Sequence, residues 1–211
     1  MERNGKDFYG LEVTRCLNRK EIRKLRTVLK KRIENSQMHY GDSALKQWFL
    51  CEFGLSTGLR VSEIKNICIK HLFNNVERPY IWVENGKGGK SRRVEIDLQF
   101  KTHLSEYLVE KTRIKETTFD DSPLFYSKRS KGKYSVRGLE YMFKKSLDIV
   151  SISDIYSIHC LRHSFALAVY KATKFNIRYV QKQLGHSSLR ITEIYLQTLM
   201  SELQKPLKKI Y

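Results

Sequence analysis

The hydrophobic period of this chain changes twice, and that change limits its fold more than any other feature. From Asn18 to Ile67 apolar residues recur at three- and four-residue intervals, which marks helices with one buried stripe. Ile22, Leu25, Leu29 and Ile33 form one such series, Leu45, Trp48, Phe49 and Phe53 the next, and Val61, Ile64 and Ile67 a third. Residues 80–84 and 92–96 then read as two strands, rich in β-branched and aromatic side chains. They are joined by Asn85-Gly86-Lys87-Gly88-Gly89-Lys90-Ser91, a turn with a glycine-rich, cationic tip. Helical spacing returns with Phe100, Leu104, Tyr107 and Leu108, with Val136, Leu139, Phe143 and Leu147, and again with Leu161, Phe165 and Val169. The expectation is an α+β chain, mostly α, with a small antiparallel β-sheet and hairpin inserted near its first third.

Local signals place the helix ends. Asn18 with Glu21 three residues on makes a capping box. Ser135 opens a helix, and Asn176 caps one that holds Ile177, Val180 and Leu184 and stops at Gly185. Ser187 or Ser188 starts a short helix leading to Tyr195, and Pro206 interrupts a basic end. The chain divides into a basic arm over residues 1–16, one compact domain over 17–198, and a C-terminal segment over 199–211.

Charge narrows the class of partner. Forty Lys and Arg against twenty-two Asp and Glu leave a formal net charge of +18, which calls for a polyanion. No apolar run approaches the roughly 18 residues that span a bilayer, and MERNGKDFYG has no signal-peptide core. Nucleic acid is therefore expected, with no membrane, in the cytoplasm on the nucleoid or in an organelle stroma or matrix. Cys16, Cys51, Cys68 and Cys160 have neither C-x-x-C nor zinc spacing and read as reduced thiols.

Several short features could carry chemistry, and each alone has a bland reading. Gly89-Lys90-Ser91 looks like the end of a phosphate-binding loop, but that motif needs a glycine where Glu84 stands. Lys87 and Lys90 suit contact with a nucleic-acid backbone, or are simply a solvated turn. His159 and Arg162, three apart at a helix start, would share a face where free N–H groups favour anions. A lone H-x-x-R is more often a polar surface pair. His186 follows a helix-ending glycine and could be only a cap; Arg60 follows Gly58-Leu59 and could be a surface residue. Tyr195 is one of twelve tyrosines, and by itself it reads as half-buried core.

Together the features are far more specific. In order the chain reads T-G-L-R-V-S-E at 57–63, G-K-G-G-K at 86–90, H-C-L-R-H-S-F at 159–165 and L-G-H-S-S at 184–188, then Tyr195 nine residues after His186. This set resembles the tyrosine recombinase (phage integrase) family, over roughly residues 17–200, and residues 17–198 resemble its catalytic domain. The resemblance implies a site-specific DNA recombinase that cleaves and rejoins strands through a covalent 3′-phosphotyrosine. Arg60 and Arg162 would hold the non-bridging oxygens of the scissile phosphate. Lys87 would protonate the leaving 5′ oxygen, and His159 would act as acid or base toward the tyrosine hydroxyl. His186 would donate a hydrogen bond to the phosphate, and Tyr195 would be the nucleophile.

The residue types suit the task. Two guanidinium forks can neutralise the charge on a pentavalent phosphoryl group, and a phenol that titrates near pH ~10 needs cations or a base beside it. With so many cationic donors the resemblance implies no metal, no ATP and no other cofactor. Lys90, Arg92, Lys128, Arg129, Lys131 and Lys133 are expected to contact the DNA backbone. The implied partner is double-stranded DNA, gripped by a homo-tetramer on paired sites with or without accessory proteins. Leu199, Leu203, Leu207 and Ile210 are placed to touch a neighbouring subunit. The short N-terminal part resembles that of single-domain members, which lack a separate clamp domain. A non-catalytic DNA-binding regulator and a type IB topoisomerase-like enzyme stay open beside the recombinase.

Overall fold

The computed structural model describes residues 16–34, 41–73, 77–84, 86 and 89–204. Eight helices and five short strands follow one another among them. Helices α1 (Arg19–Glu34), α2 (Gly41–Thr57) and α3 (Val61–Asn66) lead through a 3-10 turn, Ile69–His71, into strand β1 (Leu72–Phe73). Strands β2 (Tyr80–Val83) and β3 (Arg92–Glu95) precede α4 (Leu98–Arg113). A small ribbon, β4 (Tyr126–Ser127) and β5 (Gly132–Lys133), comes before α5 (Val136–Val150). Helices α6 (His159–Ala172), α7 (Ile177–Leu184) and α8 (Leu189–Gln204) complete the order.

The capping signals do what their chemistry suggests. The Asn18 amide donates to the Glu21 carboxylate at 2.7 Å, and the Glu21 amide returns a bond to the Asn18 side chain at 2.9 Å. Ser135 accepts from Gly138 N–H and Asn176 from Tyr179 N–H, both at 3.0 Å. Gly185 ends α7 in the left-handed region, with φ of 65°.

The main core is built around α2. Phe49 stacks on Tyr107 of α4 at 3.8 Å between ring centres, and Phe53 and Phe125 pack tilted beside them and edge-on to each other. The Tyr107 hydroxyl donates to the Leu124 carbonyl, so the one polar atom of that stack is satisfied. Strands β1, β2 and β3 form one antiparallel sheet in that order, with Ile81 paired to Val94 and both buried. A second, smaller core joins α6, α7 and α8 through Phe165, Ala166, Val180, Leu184 and Leu196.

Two polar arrangements tie these layers together. Lys46 of α2 and Lys111 of α4 both reach Glu116, at 2.5 and 2.7 Å, and all three side chains are buried. At the other end of α2, Glu63 on α3 receives both terminal nitrogens of Arg92 at 2.8 and 2.9 Å. It also receives Nη1 of Arg60 at 3.1 Å and the Arg60 backbone amide at 2.9 Å. Burial alone would raise the Glu63 carboxyl, but the Arg92 bonds and charge and the Arg60 amide outweigh it and hold the group at about 2. Strand β3 is fastened to α7 as well: Arg92 Nε donates to the Gln183 carbonyl, and the Glu95 amide donates to the Gln183 side chain.

Some expectations change. The helix that carries Tyr195 is not short: α8 runs sixteen residues, Leu189–Gln204, continuing past the tyrosine. Strand β1 adds a third strand that a two-residue pairing was too short to announce. Residues 128–133 belong to the β4–β5 ribbon, with Lys131 in the left-handed region at φ of 49°. Lys87, the arm over residues 1–15 and the end of the C-terminal segment, residues 205–211, lie outside the described residues.

Two outcomes follow for stability. Glu116→Gln leaves two buried ammonium groups facing a neutral amide, and should cost about 3 kcal/mol in urea denaturation. An unchanged midpoint would show that water already reaches the pair. Glu63 titrates near 4.5 in the unfolded chain and near 2 in the folded one, so its contribution is complete above pH 4.5 and is lost as pH falls toward 2. At ~1.4 kcal/mol for each pH unit this is about 3 kcal/mol. The stability gap between wild type and Glu63→Gln should close by that amount from pH 6 to pH 2.

Candidate active site

The site forms where three backbone turns meet. The first is the end of α2. Gly58 takes φ of +60°, and a Cβ there would lie 2.2 Å from Phe165 Cδ1, so only glycine fits both the turn and the neighbour. The turn sets Arg60 as the N-cap residue of α3, where Glu63 holds its guanidinium.

The second is the start of α6. Arg162 lies one turn into that helix and is only 5% exposed. Nη1 donates to the Gly58 carbonyl at 2.7 Å, Nη2 to the Leu184 carbonyl at 2.8 Å, and Nη2 meets His186 Nε2 at 3.2 Å. Burial, and then the charge of Arg60, pull its pKa down to about 10, so it stays cationic at neutral pH.

The third is the α7–α8 turn. His186 follows Gly185, and its Nδ1 lies 3.0 Å from Thr192 Oγ1. Arg162 can only donate, which makes Nε2 the acceptor and assigns the ring proton to Nδ1, donated to Thr192. The ring edge of His186 meets the Tyr195 ring at 5.4 Å and 87°.

Tyr195 sits on α8, two turns beyond the histidine. Its hydroxyl lies 2.5 Å from Nδ1 of His163, with ring centres 5.3 Å apart. Burial pushes the phenol well above its ordinary range, opposed by the charges of Arg162 and Arg60. The tyrosine is therefore a neutral phenol in this structure.

The residues singled out from the sequence thus separate into groups. Arg60, Arg162, His186 and Tyr195 converge. His159 begins α6 and acts on the same cluster: burial first, then the charges of His159 and Arg162, lower His163 to about 3. Lys87 lies outside the described residues, but the root of its turn is fixed. Gly86 N–H donates to the Lys90 carbonyl and Gly89 N–H to the Gly86 carbonyl. A Cβ on Gly86 would approach both Glu63 and Arg92, so the root of the turn packs against the carboxylate that holds Arg60.

Lys90 is exposed and lines a cavity of about 270 Å³ with Lys182, His186 and Ser187. Arg92 departs from the expected backbone contact. Its guanidinium is spent inside the protein, forked on Glu63 and bonded to Gln183, so it braces the site. Lys128, Arg129 and Lys133 border a separate cleft of about 1090 Å³ with Arg32, Lys65 and Lys145. Lys133 also lines a cavity that reaches Glu63, which connects this basic face with the centre. Lys131 is exposed at the tip of the ribbon.

Three participants had no role in the sequence reading. Glu63 stands inside T-G-L-R-V-S-E, three residues after Arg60, and that spacing on a helix start was the available signal. Thr192 and His163 had none beyond proximity in sequence to His186 and Arg162.

Residues 15–202 match the phage integrase family. A tyrosine recombinase XerC of Caldanaerobacter subterraneus subsp. tengcongensis is 36% identical over 156 residues, covering 74% of this chain and 42% of the relative. A tyrosine recombinase XerA of Thermococcus onnurineus is 32% identical over 198 residues, covering 92% and 62%. The chain spans about half the length of the curated relatives it matches. Among solved structures, the XerH site-specific recombinase in a post-cleavage complex with palindromic difH substrate aligns with a TM-score of 0.72 at 23% identity, over 96% of this chain and 55% of that one. A XerA recombinase aligns at 0.69 with 24% identity, over 93% and 66%. The fold is thus the one these recombinases share, and the chain belongs to the phage integrase family.

Proposed function

We propose that this chain is a site-specific DNA recombinase whose Tyr195 attacks a backbone phosphate and holds the cut strand as a 3′-phosphotyrosine. One observation carries the reading. The tyrosine hydroxyl, two guanidinium groups and a histidine converge from three separate turns, and Arg162 bonds two of those turns together.

The chemistry follows from the groups present. Arg60 and Arg162 neutralise the non-bridging oxygens as charge gathers on them, in a partly dry site where preorganised donors count most. His186 offers Nε2 to the same oxygens once the ring is protonated, since Thr192 already holds Nδ1. His159 adds a further polar group at the helix start, and Lys87 is the proton donor for the leaving 5′ oxygen. Residues 17–198 act as the catalytic unit. Residues 1–16 and 199–211 serve as a DNA-binding arm and a contact between subunits.

Double-stranded DNA is the partner, and a homo-tetramer on paired sites is the assembly that exchanges strands. Relatives in fold have been seen in such settings: a lambda integrase tetramer bound to a Holliday junction aligns with a TM-score of 0.56 at 17% identity. The work is done in the cytoplasm, on the nucleoid. Among the described residues no helix is long and apolar enough to cross a membrane.

Lys90, Lys128, Arg129, Lys131 and Lys133 supply sequence-independent backbone contacts. Replacing Arg129 and Lys131 by Ala should weaken binding to all duplexes alike. It should also flatten the plot of log affinity against log salt by about 0.9 for each phosphate that the variant no longer neutralises. A slope equal to wild type would remove these two residues from the interface. The chemical step is tested with nicked duplexes drawn from DNA flanking the gene. Wild type should leave a protein–DNA adduct that survives denaturing electrophoresis, and Tyr195→Phe should leave none. Adduct formation by the Phe variant would move the nucleophile elsewhere.

A further inference from the structure

We propose that His163 is the proton acceptor for Tyr195 in strand cleavage. The proposal rests on the DNA-cleaving reading above and assigns a residue to the one proton that reading leaves without a destination. The family motif points to His159 for this task, yet the side chain on the tyrosine hydroxyl is His163, with Nδ1 2.5 Å from Oη.

The direction of that bond is fixed by the states of both groups. Burial, with His159 and Arg162 nearby, keeps the imidazole neutral; burial keeps the phenol protonated against the pull of Arg162 and Arg60. The hydroxyl therefore donates, Nδ1 accepts, and the imidazole proton sits on Nε2. The charged and titratable groups around the pair come from every element that packs on it. They are His159 and Arg162 from α6, Arg60 from the start of α3, His186 from the α7–α8 turn, and Cys16.

These neighbours also make the base responsive to substrate. In the empty site Arg162 repels a proton on His163. A phosphodiester anion seated on Arg60 and Arg162 cancels that repulsion, so the imidazole gains basicity when a bond is ready to be cut. In the step itself an Oη lone pair forms the bond to phosphorus and the bond from phosphorus to the 5′ oxygen breaks. The phenolic proton passes to Nδ1, leaving an imidazolium, and the 5′ oxygen leaves as a hydroxyl with a proton from the hairpin ammonium expected at Lys87. On rejoining, the 5′ hydroxyl returns its proton to that amine, and the imidazolium returns its own to Oη as the tyrosine departs.

Asparagine separates holding the hydroxyl from taking its proton, because its carbonyl oxygen can stand where Nδ1 stands but cannot be protonated near neutral pH. Single-turnover cleavage of nicked duplex should be pH-independent for wild type between pH 7 and 9. His163→Asn should bind DNA as wild type does and cleave about 10²–10⁴-fold more slowly. Its rate should rise about tenfold per pH unit as hydroxide takes over. A His163→Asn enzyme with wild-type rate, or one slowed equally at every pH, overturns the proposal.

A second readout needs neither DNA nor cleavage. In protein labelled with nitrogen-15 at histidine, the Nδ1 resonance of His163 should move when Tyr195→Phe removes the hydroxyl, and an unmoved resonance also overturns it. Absence of any wild-type adduct would count against the DNA-cleaving reading itself, while the resonance still decides whether His163 holds the tyrosine.

Discussion

A guanidinium buried away from water must have its donors satisfied, and the Arg162 side chain meets that demand by bonding the ends of two other helices. It takes the Gly58 carbonyl at the end of α2 and the Leu184 carbonyl at the end of α7. Both are carbonyls that a helix leaves unpaired at its C-terminus, where a cation is favoured by the helix dipole as well. The same side chain then meets His186. The larger core, the smaller core and His186 are thus registered to one residue. Lys could not do this, since it lacks the planar fork that reaches two carbonyls at once.

Glu63 has the complementary task. Arg60 and Arg92 lie side by side, and without an anion between them they would repel each other and splay. The Glu63 carboxylate accepts from both Arg60 and Arg92 and from the Arg60 amide, so the cationic pocket is held open by an internal counter-charge. Because Arg92 belongs to β3, the same carboxylate also anchors the strand that follows the turn, and Gly86 packs close beside it. One acidic residue therefore links Arg60 to the root of the turn that follows β2.

What could be read in the sequence was local. Capping at Asn18, Ser135 and Asn176 depends on bonds spanning three residues, and the left-handed stop at Gly185 on a single backbone angle. The strand period around Ile81 and Val94 is likewise local, as is the buried stripe of α5. The motif order brought out Arg60, Arg162, His186 and Tyr195, which the fold does assemble. Long-range choices were not legible. Nothing near Lys111 announces that a lysine in a helix will be fully buried against Glu116 and share it with Lys46. Arg92 looks like any basic residue beside a cationic turn, and only the fold reveals that Glu63 waits behind it. His163 faces Tyr195 because α8 lies across α6, thirty-two residues later in the chain.

The division into two cores has an energetic consequence. The larger one is dense with stacked aromatics around Phe49 and Tyr107, whereas the smaller rests on Phe165, Ala166, Val180, Leu184 and Leu196. Parts of a protein with little apolar burial open at free energies well below global unfolding. The layer formed by α7 and α8 is therefore expected to open at a lower free energy than α2 and α4. Tyr195 rides on that layer and Arg60, at the start of α3, does not. A modest shift of one layer against the other would change how the Tyr195 hydroxyl meets the arginines without disturbing the scaffold around α2 and α4.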